Sequence, residues 1–470
     1  MNAQPHRVAV IDIGKSNAKV ALVDLERLEE IAVRKRPNLV LVATPYPHYD
    51  TDGLWSFILT SLAELQASHG VDAIVVTTHG AAAALLNADG DLAAPILDYE
   101  HYGPDRMASE YDAIRPSFTE TGSPRLPMGL NLGAQLFWQF ATFPDIRERT
   151  HAIVTYPQYW VARLTGAVAN EVTSLGCHTD LWRPYENRFS SLVEQQGWLP
   201  LMAPIRRAKE KMGCIKPEIA AATGITADTV VYCGIHDSNA SLYAHLVSRA
   251  SPFAVVSTGT WVISMVIGGR TVPLDPHRDT LVNVNALGDP VATSRFMGGR
   301  EFSSIMDGRE ARYQEDDVVS VITDGAMLAP SVERRSGPFP GRIHYWTVEE
   351  AKLSDGQRYV AVSFYLAMMT AIGLEIAGAD GDILVEGPFS QNPLYLDMLA
   401  SACRRPVFGV TGTGTSIGAA LLAAKPDSRT SGHTGVPPAH TAQPLMEGYD
   451  ARWRKRFETG DTAAGERDKA

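Results

Sequence analysis

Five short segments of this chain gather hydroxyls, glycines and, in three of them, a carboxylate, the residue types that could hold a nucleotide and its phosphates. The first is Asp12-Ile13-Gly14-Lys15-Ser16-Asn17. A carboxylate there ends an apolar run, a glycine lets the backbone turn closely, and successive N–H groups and polar side chains come next. Such a turn can bind a phosphate on backbone amides while the carboxylate holds Mg²⁺, directly or through water. The Gly-Lys-Ser string also invites a P-loop reading. That motif needs a glycine five residues before Gly14, where Ala9 stands, and a helix after the lysine, where the residues read as a strand. The P-loop is therefore rejected. An ordinary polar hairpin turn uses the same residue types.

The second segment, Ser257-Thr258-Gly259-Thr260, has the same character. Two such turns facing each other would cradle a polyphosphate from both sides. The third, Gly234-Ile235-His236-Asp237-Ser238-Asn239-Ala240, comes after the apolar run Val230-Val231-Tyr232-Cys233. Asp237 thus falls at a strand-to-helix junction, where it can face a ligand or merely cap the helix. His236 reads as a packing or orienting residue, because no second histidine stands at metal-ligand spacing. The fourth and fifth are Glu386-Gly387-Pro388-Phe389-Ser390-Gln391-Asn392-Pro393 and Thr411-Gly412-Thr413-Gly414-Thr415-Ser416-Ile417-Gly418. Both are Gly-rich approaches to helices, suited to a base and ribose lying against exposed backbone. Gly418 also suits close helix packing.

The elements that must position these segments repeat. Arg7 to Asp12 and Ala18 to Asp24 read as strands flanking the first turn; Phe253 to Ser257 and Trp261 to Ile267 flank the second. Ala9, Val10 and Gly14 match Ala254, Val255 and Gly259 at one offset of 245. A helix spaced by Trp55, Ile58, Leu59, Leu62 and Leu65 precedes the strand Ala73 to Val76, which runs into His79-Gly80. In the same order, a helix over Tyr359 to Ile376 precedes the strand Ile383 to Val385. The chain therefore reads as two α/β halves meeting near Ser248 to Pro252. Helices are expected over Leu394–Cys403 and Ala419–Ala424. Pro330 to Tyr345 reads as a surface loop, Lys425 to Gln443 as an irregular connector, and the residues after Asp461 as disordered.

At 470 residues the chain is long enough for two large cores. Its formal net charge of −11 argues against nucleic acid and against an anionic membrane surface. The apolar run Val8 to Ile13 is too short and too charged for a signal core, and no stretch is expected to approach the roughly 18–20 apolar residues of a membrane span. Cys177, Cys214, Cys233 and Cys403 form no CxxC pair, which suits reduced thiols in the cytoplasm.

The order of the segments resembles the FGGY family of carbohydrate kinases, from about Val8 to Ala424. Trp160-Val161-Ala162-Arg163-Leu164-Thr165-Gly166 and Asn170-Glu171-Val172-Thr173-Ser174 are also similar to family stretches. The resemblance implies an α/β fold of two duplicated actin/hexokinase-like (ribonuclease H-like) domains around a central cleft. Residues 1–248 would bind sugar and phosphate, 249–445 the nucleotide, and 446–470 would form a C-terminal helix and tail. It implies ATP and Mg²⁺, with Asp12 at the metal and Gly14, Lys15, Ser16 and Asn17 at the phosphates. Thr258, Gly259 and Thr260 would form the second phosphate turn. Gly387 and Asn392, with Gly414 later, would meet the adenosine. Asp237 resembles the catalytic aspartate, and His79, Asp98 and Glu100 fall where the family contacts the sugar.

The chain also departs from the pattern. Pro388 stands where a second glycine is usual, Gln158 where many members carry an aspartate, and His79 where an arginine or tryptophan is common. Asp98-Tyr99-Glu100-His101 is an unusual sugar loop. The run from Val282 to Phe302, with Gly298-Gly299-Arg300-Glu301, is loosely similar to rhamnulose- or fuculose-type kinases. The expected activity is ATP-dependent phosphorylation of a small sugar, a ketose or deoxyketose, or a polyol. A sugar-independent ATPase of the same fold and a non-catalytic sugar sensor stay open as alternatives, as does a homodimer.

Overall fold

The computed structural model describes residues 5–410, 414–424 and 439–458. They fall into two compact units. The first holds residues 5–249, 282–291 and 414–424; the second holds 250–281, 292–410 and 439–458.

In the first unit β1 (Arg7–Ile13), β2 (Asn17–Asp24) and β3 (Glu29–Pro37) form an antiparallel meander. Helix α1 (Thr51–His69) opens four residues before Trp55, because the Asp50 carboxylate accepts the Gly53 N–H and caps it. It buries Leu54, Ile58, Leu62 and Leu65. The chain then returns through β4 (Ala73–Thr78), parallel to β1. Both strands are buried along their apolar runs, as central parallel strands are. Helix α2 (Tyr156–Thr165) ends at Gly166 in the left-handed conformation, as its Leu-Thr-Gly ending suggests. After β5 (Lys211–Cys214) come β6 (Val230–Tyr232) and β7 (Ile235–His236), both parallel to β4, and helix α3 (Asp237–Ser248) leaves directly from β7.

The second unit repeats this plan. β8 (Phe253–Thr258) and β9 (Val262–Ile267) form the hairpin; β10 (Thr280–Val284) and β11 (Pro290–Phe296) extend the sheet, although their residues 282–284 and 290–291 are grouped with the first unit. Helices α4 (Gly298–Met306) and α5 (Asp355–Ile376) come next. Then come β12 (Asp382–Glu386), helix α6 (Pro393–Cys403) and β13 (Val407–Gly409). Five strands share one order in the two sheets, β3-β2-β1-β4-β6 and β11-β9-β8-β12-β13. In each, the first three are antiparallel and the last two parallel. Each unit therefore has the ribonuclease H-like sheet of actin/hexokinase-like domains. The hairpins are close but not identical: the Gly14 N–H donates to Asn17 O and the Gly259 N–H to Trp261 O, both at 2.9 Å, so the second turn is one residue shorter.

Three expectations need correction. Helix α5 is long and apolar enough, by length and composition, to cross a membrane, yet 89% of its apolar window is buried in the core of the second unit. The segment 330–345 is irregular but only partly superficial, since Ser331, Ser336 and Phe339 are buried while Ile343 and Tyr345 are exposed. The third concerns helix α7 (Gly414–Ala420), which begins five residues earlier than its Ala/Leu pattern suggests. Gly414 and Gly418 lie inside it, and it packs on α3 in the first unit. The expectations for 425–438 and for the tail after 458 lie outside the described residues. Helix α8 (Pro444–Phe457) buries Met446, Tyr449, Trp453 and Phe457 in the second unit. The Trp453 indole donates to Leu328 O at 3.1 Å and the Tyr449 hydroxyl to Ala326 O at 3.0 Å.

A side chain on Gly418 would meet the Ala240 carbonyl oxygen at 1.8 Å, and backbone cannot swing aside. Gly418→Ala is expected to destabilise the protein by roughly 1–3 kcal/mol through overpacking. Urea unfolding measures this as a lower midpoint at an unchanged slope.

Candidate active site

Strand register gathers the first unit's chemistry at one sheet edge. Ile13 of β1 pairs with Thr78 of β4, and Thr78 pairs with His236 of β7. The chain leaves these three ends at Gly14, His79 and Asp237, with Asp12 one step inside. Gly234 adjusts the last of them. Val231 pairs with Ile74 but Ile235 pairs with Thr77, so one extra residue is accommodated between β6 and β7. Gly234 sits there at φ +85°, and a Cβ would strike Val76 O at 2.4 Å.

Asp237 is the first residue of α3, not its cap. Its Oδ1 accepts the Ser238 N–H at 2.6 Å and the Ser238 hydroxyl at 3.3 Å. His236 Nε2 lies 3.2 Å from the same oxygen. Burial pushes the His236 pKa down, against the opposing pull of Asp237, so the ring is neutral. Asn239 Nδ2 stands 3.5 Å from Nδ1, which assigns the ring's proton to Nε2 and makes it a donor to Asp237. A buried network supports this pair. Thr173 Oγ1 donates to Glu171 Oε2 and accepts the His236 N–H at 3.0 Å. Burial raises the Glu171 carboxyl to about 8, so it holds its proton at neutral pH. Gly80 completes the packing, because a Cβ there would lie 2.9 Å from His236 Nε2.

His79 is buried. Its Nδ1 donates to Gly80 O at 2.7 Å, while Nε2 has no partner. Burial above all lowers its pKa to about 4. The ring is neutral and Nε2 is therefore a free hydrogen-bond acceptor. Tyr49, Tyr99 and Tyr156 surround it, with centroids 5.1–5.4 Å away. Asp98 accepts a hydrogen bond from Lys15 Nζ, which also lies 3.2 Å from Glu100 Oε2. Lys15 stands over the rings of Tyr99 and Tyr49 at 4.7 and 5.2 Å. Its side chain is thus turned toward Asp98 and Glu100, the positions expected to meet sugar. Ser16 and Asn17 are exposed at the turn, which Asn38 buttresses by donating to Gly14 O at 2.8 Å. Gln158 is buried and donates to Cys233 O at 2.8 Å, so it braces the approach to β7.

Asp12 faces Lys19 across the hairpin, with 3.6 Å between Nζ and Oδ2; the same Nζ is 2.9 Å from Glu30. Burial raises the Asp12 pKa to about 6, Lys19 opposes this, and the nearby Asp237 adds to it. A buried carboxylate held off from a shared cation fits a divalent metal. Among the described residues no group of three or more His, Cys, Asp and Glu could hold a metal alone. That suits Mg²⁺, which commonly takes one or two carboxylates, waters and substrate phosphates.

In the second unit a cavity of about 560 Å³ is lined by Gly259, Thr260, Gly299, Phe302, Phe389 and Asn392, among others. Phe302 sits 5.9 Å from Phe389 and 6.2 Å from Tyr359, which makes an aromatic slot. Thr258 and Gly387 are brought together behind it. Phe389 N–H donates to Thr258 Oγ1 at 3.1 Å, and a Cβ on Gly387 would strike Thr258 O at 1.9 Å. Asn392 lines the cavity, but its side chain caps α6 and donates to Ser363 at 2.9 Å. Gly414 does not line the cavity; it opens α7, grouped with the first unit. The aromatic walls and Gly299 carry no site signal in the sequence beyond the Gly298-Gly299-Arg300 string. A further cavity of about 740 Å³, beside Tyr49, Tyr159 and Arg163, includes none of the expected site residues.

Fold and site together define a two-domain protein of the actin/hexokinase-like class. Residues 8–244 match the N-terminal domain of the FGGY family of carbohydrate kinases, and residues 250–431 match the FGGY carbohydrate kinase C-terminal domain. This chain belongs to that family. A carbohydrate kinase from Novosphingobium aromaticivorans is 34% identical, with a TM-score of 0.87 over 97% of this chain and 100% of that one. A gluconate kinase from Lactobacillus acidophilus shares the fold at 14% identity and a TM-score of 0.78, covering 97% of this chain and 96% of that one. L-fuculokinase of Escherichia coli is 27% identical over 278 residues, 55% of this chain and 56% of its own length. The chain thus matches little more than half the length of that curated relative.

The Glu171 carboxyl supplies a pH test. Its pKa is near 8 folded and about 4.5 unfolded, so between those values the folded state binds the extra proton. Its contribution is full below pH 4.5, falls as pH rises, and is gone above about 8. Glu171→Gln is expected to remove this slope. Urea midpoints at pH 5 and pH 8 should show wild type losing on the order of a few kcal/mol relative to the variant.

Proposed function

We propose that the protein transfers the γ-phosphoryl group of ATP to a hydroxyl of a small sugar or polyol, with Asp237 as the base. The observation that carries this reading is the placement of Asp237. It stands partly exposed at a strand end, oriented by His236 and Ser238, on the edge that also presents Asp12 and His79.

Asp237 orients the acceptor hydroxyl and takes its proton as the new O–P bond forms and the bond to ADP breaks. A free aspartic acid has a pKa near 3.9, far below an alcohol, so no alkoxide forms beforehand. A loose phosphoryl-transfer transition state does not require one, because positioning and charge neutralisation supply most of the rate. Mg²⁺, when bound, would neutralise charge on the phosphates, and Asp12 is the residue that would hold it. The N–H groups of Lys15 to Asn17 would meet phosphate oxygens in the first unit, where the Gly14 N–H closes the turn on Asn17 O. Thr258, Gly259 and Thr260, with Gly387 behind them, would serve the nucleotide in the second, and the slot of Phe302, Tyr359 and Phe389 suits its base.

The acceptor side is His79, Asp98 and Glu100, with His79 Nε2 accepting from one hydroxyl. A ketose or deoxyketose agrees with the L-fuculokinase likeness. ADP release from Mg²⁺-ATP across ketoses, aldoses and polyols tests the reading. One acceptor is expected to stimulate release and to appear as its phosphate. Hydrolysis independent of any acceptor would mark an ATPase instead, and binding without turnover a sensor. Asp237→Asn is expected to lower kcat more than a hundredfold while nucleotide affinity holds; kcat within tenfold of wild type would refute the assignment.

A further inference from the structure

Lys15 lies in the turn expected to meet phosphate, yet its ammonium group is engaged elsewhere. It binds Asp98, lies 3.2 Å from Glu100, and is roofed by Tyr99 and Tyr49. The Lys15 and Asp98 side chains are only 21% and 10% exposed, so this contact sits largely out of water. A phosphate at this turn would be held by backbone N–H groups, which the side chain's position leaves available.

The polar groups around Lys15 share one character. Asp98 and Glu100 present carboxylates, and His79 presents a bare Nε2 with no partner. Two carboxylates already engage the one lysine. Hydroxyl groups, which donate hydrogen bonds, complement such a pocket. A substrate carboxylate would bring a further negative charge to a cation already engaged. The fold alone does not decide this, since a gluconate kinase shares it.

We propose that Lys15 is a specificity-determining residue of the acceptor site: clamped by Asp98 and Glu100, it completes a pocket that selects uncharged polyhydroxy acceptors over sugar acids. The proposal rests on the kinase reading above and adds which class of acceptor is taken. It also moves Lys15 from the phosphate side to the acceptor side.

Kinetics on neutral sugars and polyols paired with the corresponding sugar acids test it, alongside calorimetry with the magnesium complex of a non-hydrolysable ATP analogue. Wild type is expected to favour the neutral member of the active pair at least a hundredfold in kcat/KM. Asp98→Asn/Glu100→Gln frees Lys15 and should shrink that preference at least tenfold. Lys15→Met should raise the acceptor KM more than tenfold and shift the analogue Kd less than threefold. A wild-type preference for the acid, an unchanged ratio in the double variant, or equal losses of analogue and acceptor binding in Lys15→Met would each overturn it. Should Lys15→Met not fold, the double variant decides. Absence of turnover with any acceptor would instead refute the kinase reading itself, and this proposal with it.

Discussion

The site depends on parallel pairing. β1, β4 and β7 run side by side, so their carboxyl ends fall on one sheet edge and Asp12, His79 and Asp237 become neighbours across more than two hundred residues of chain. Open α/β sheets bind ligands outside the carboxyl ends of their strands for this reason. The alignment here is not automatic. Strand side chains alternate, so a one-residue slip would turn Asp237 to the wrong face. The extra residue at Gly234 sets that phase, and only a glycine fits between the strand and Val76 O. Gly234, three residues before Asp237, is therefore a register device.

Once the strand ends are gathered, electrostatics becomes the difficulty. Asp12 and Asp237 are close enough for one to raise the other's pKa, and burial raises Asp12 further. Such a cluster is unfavourable without compensation. The chain answers with lysines that come from the same hairpin but serve different carboxylates. Lys19 lies across the strands from Asp12 and shares itself with Glu30; Lys15, at the tip, serves Asp98 and Glu100. His79 and His236 stay neutral because they are buried, and Glu171 stays protonated. The supporting shell thus adds hydrogen bonds without adding charge.

What was legible in the sequence was local. The hairpins, the central strands and Asp237 at its junction are set by apolar runs and turn chemistry within a dozen residues. The departures arose where distant packing decides. Gly414 to Gly418 reads as a Gly-rich approach to a helix, but the helix already includes both glycines, and at Gly418 Ala240 O leaves no room for a side chain. The length of apolar sequence in α5 reflects burial on all sides by one unit, which composition cannot distinguish from lipid. Lys15 was placed by its neighbours in the turn, whereas its ammonium is drawn to carboxylates more than eighty residues away. The aromatic slot around Phe302, Tyr359 and Phe389 had no local signal, since its members come from three separate elements.

The duplication explains why the units can differ in task while keeping one frame. β1 and β8 occupy the same place in the sheet, and each ends in a glycine whose N–H closes the turn. The surroundings of the two turns differ. In the first unit the parallel neighbour β4 ends in His79, and the turn carries a long cation toward Asp98. In the second, β12 ends in Gly387, whose lack of a side chain lets its backbone lie against Thr258, and the turn opens on aromatic rings. Polar, charged groups suit an acceptor held by hydroxyls, and an apolar slot suits a planar base. The shared sheet supplies position, and a few residues at equivalent strand ends set the chemistry that each unit presents there.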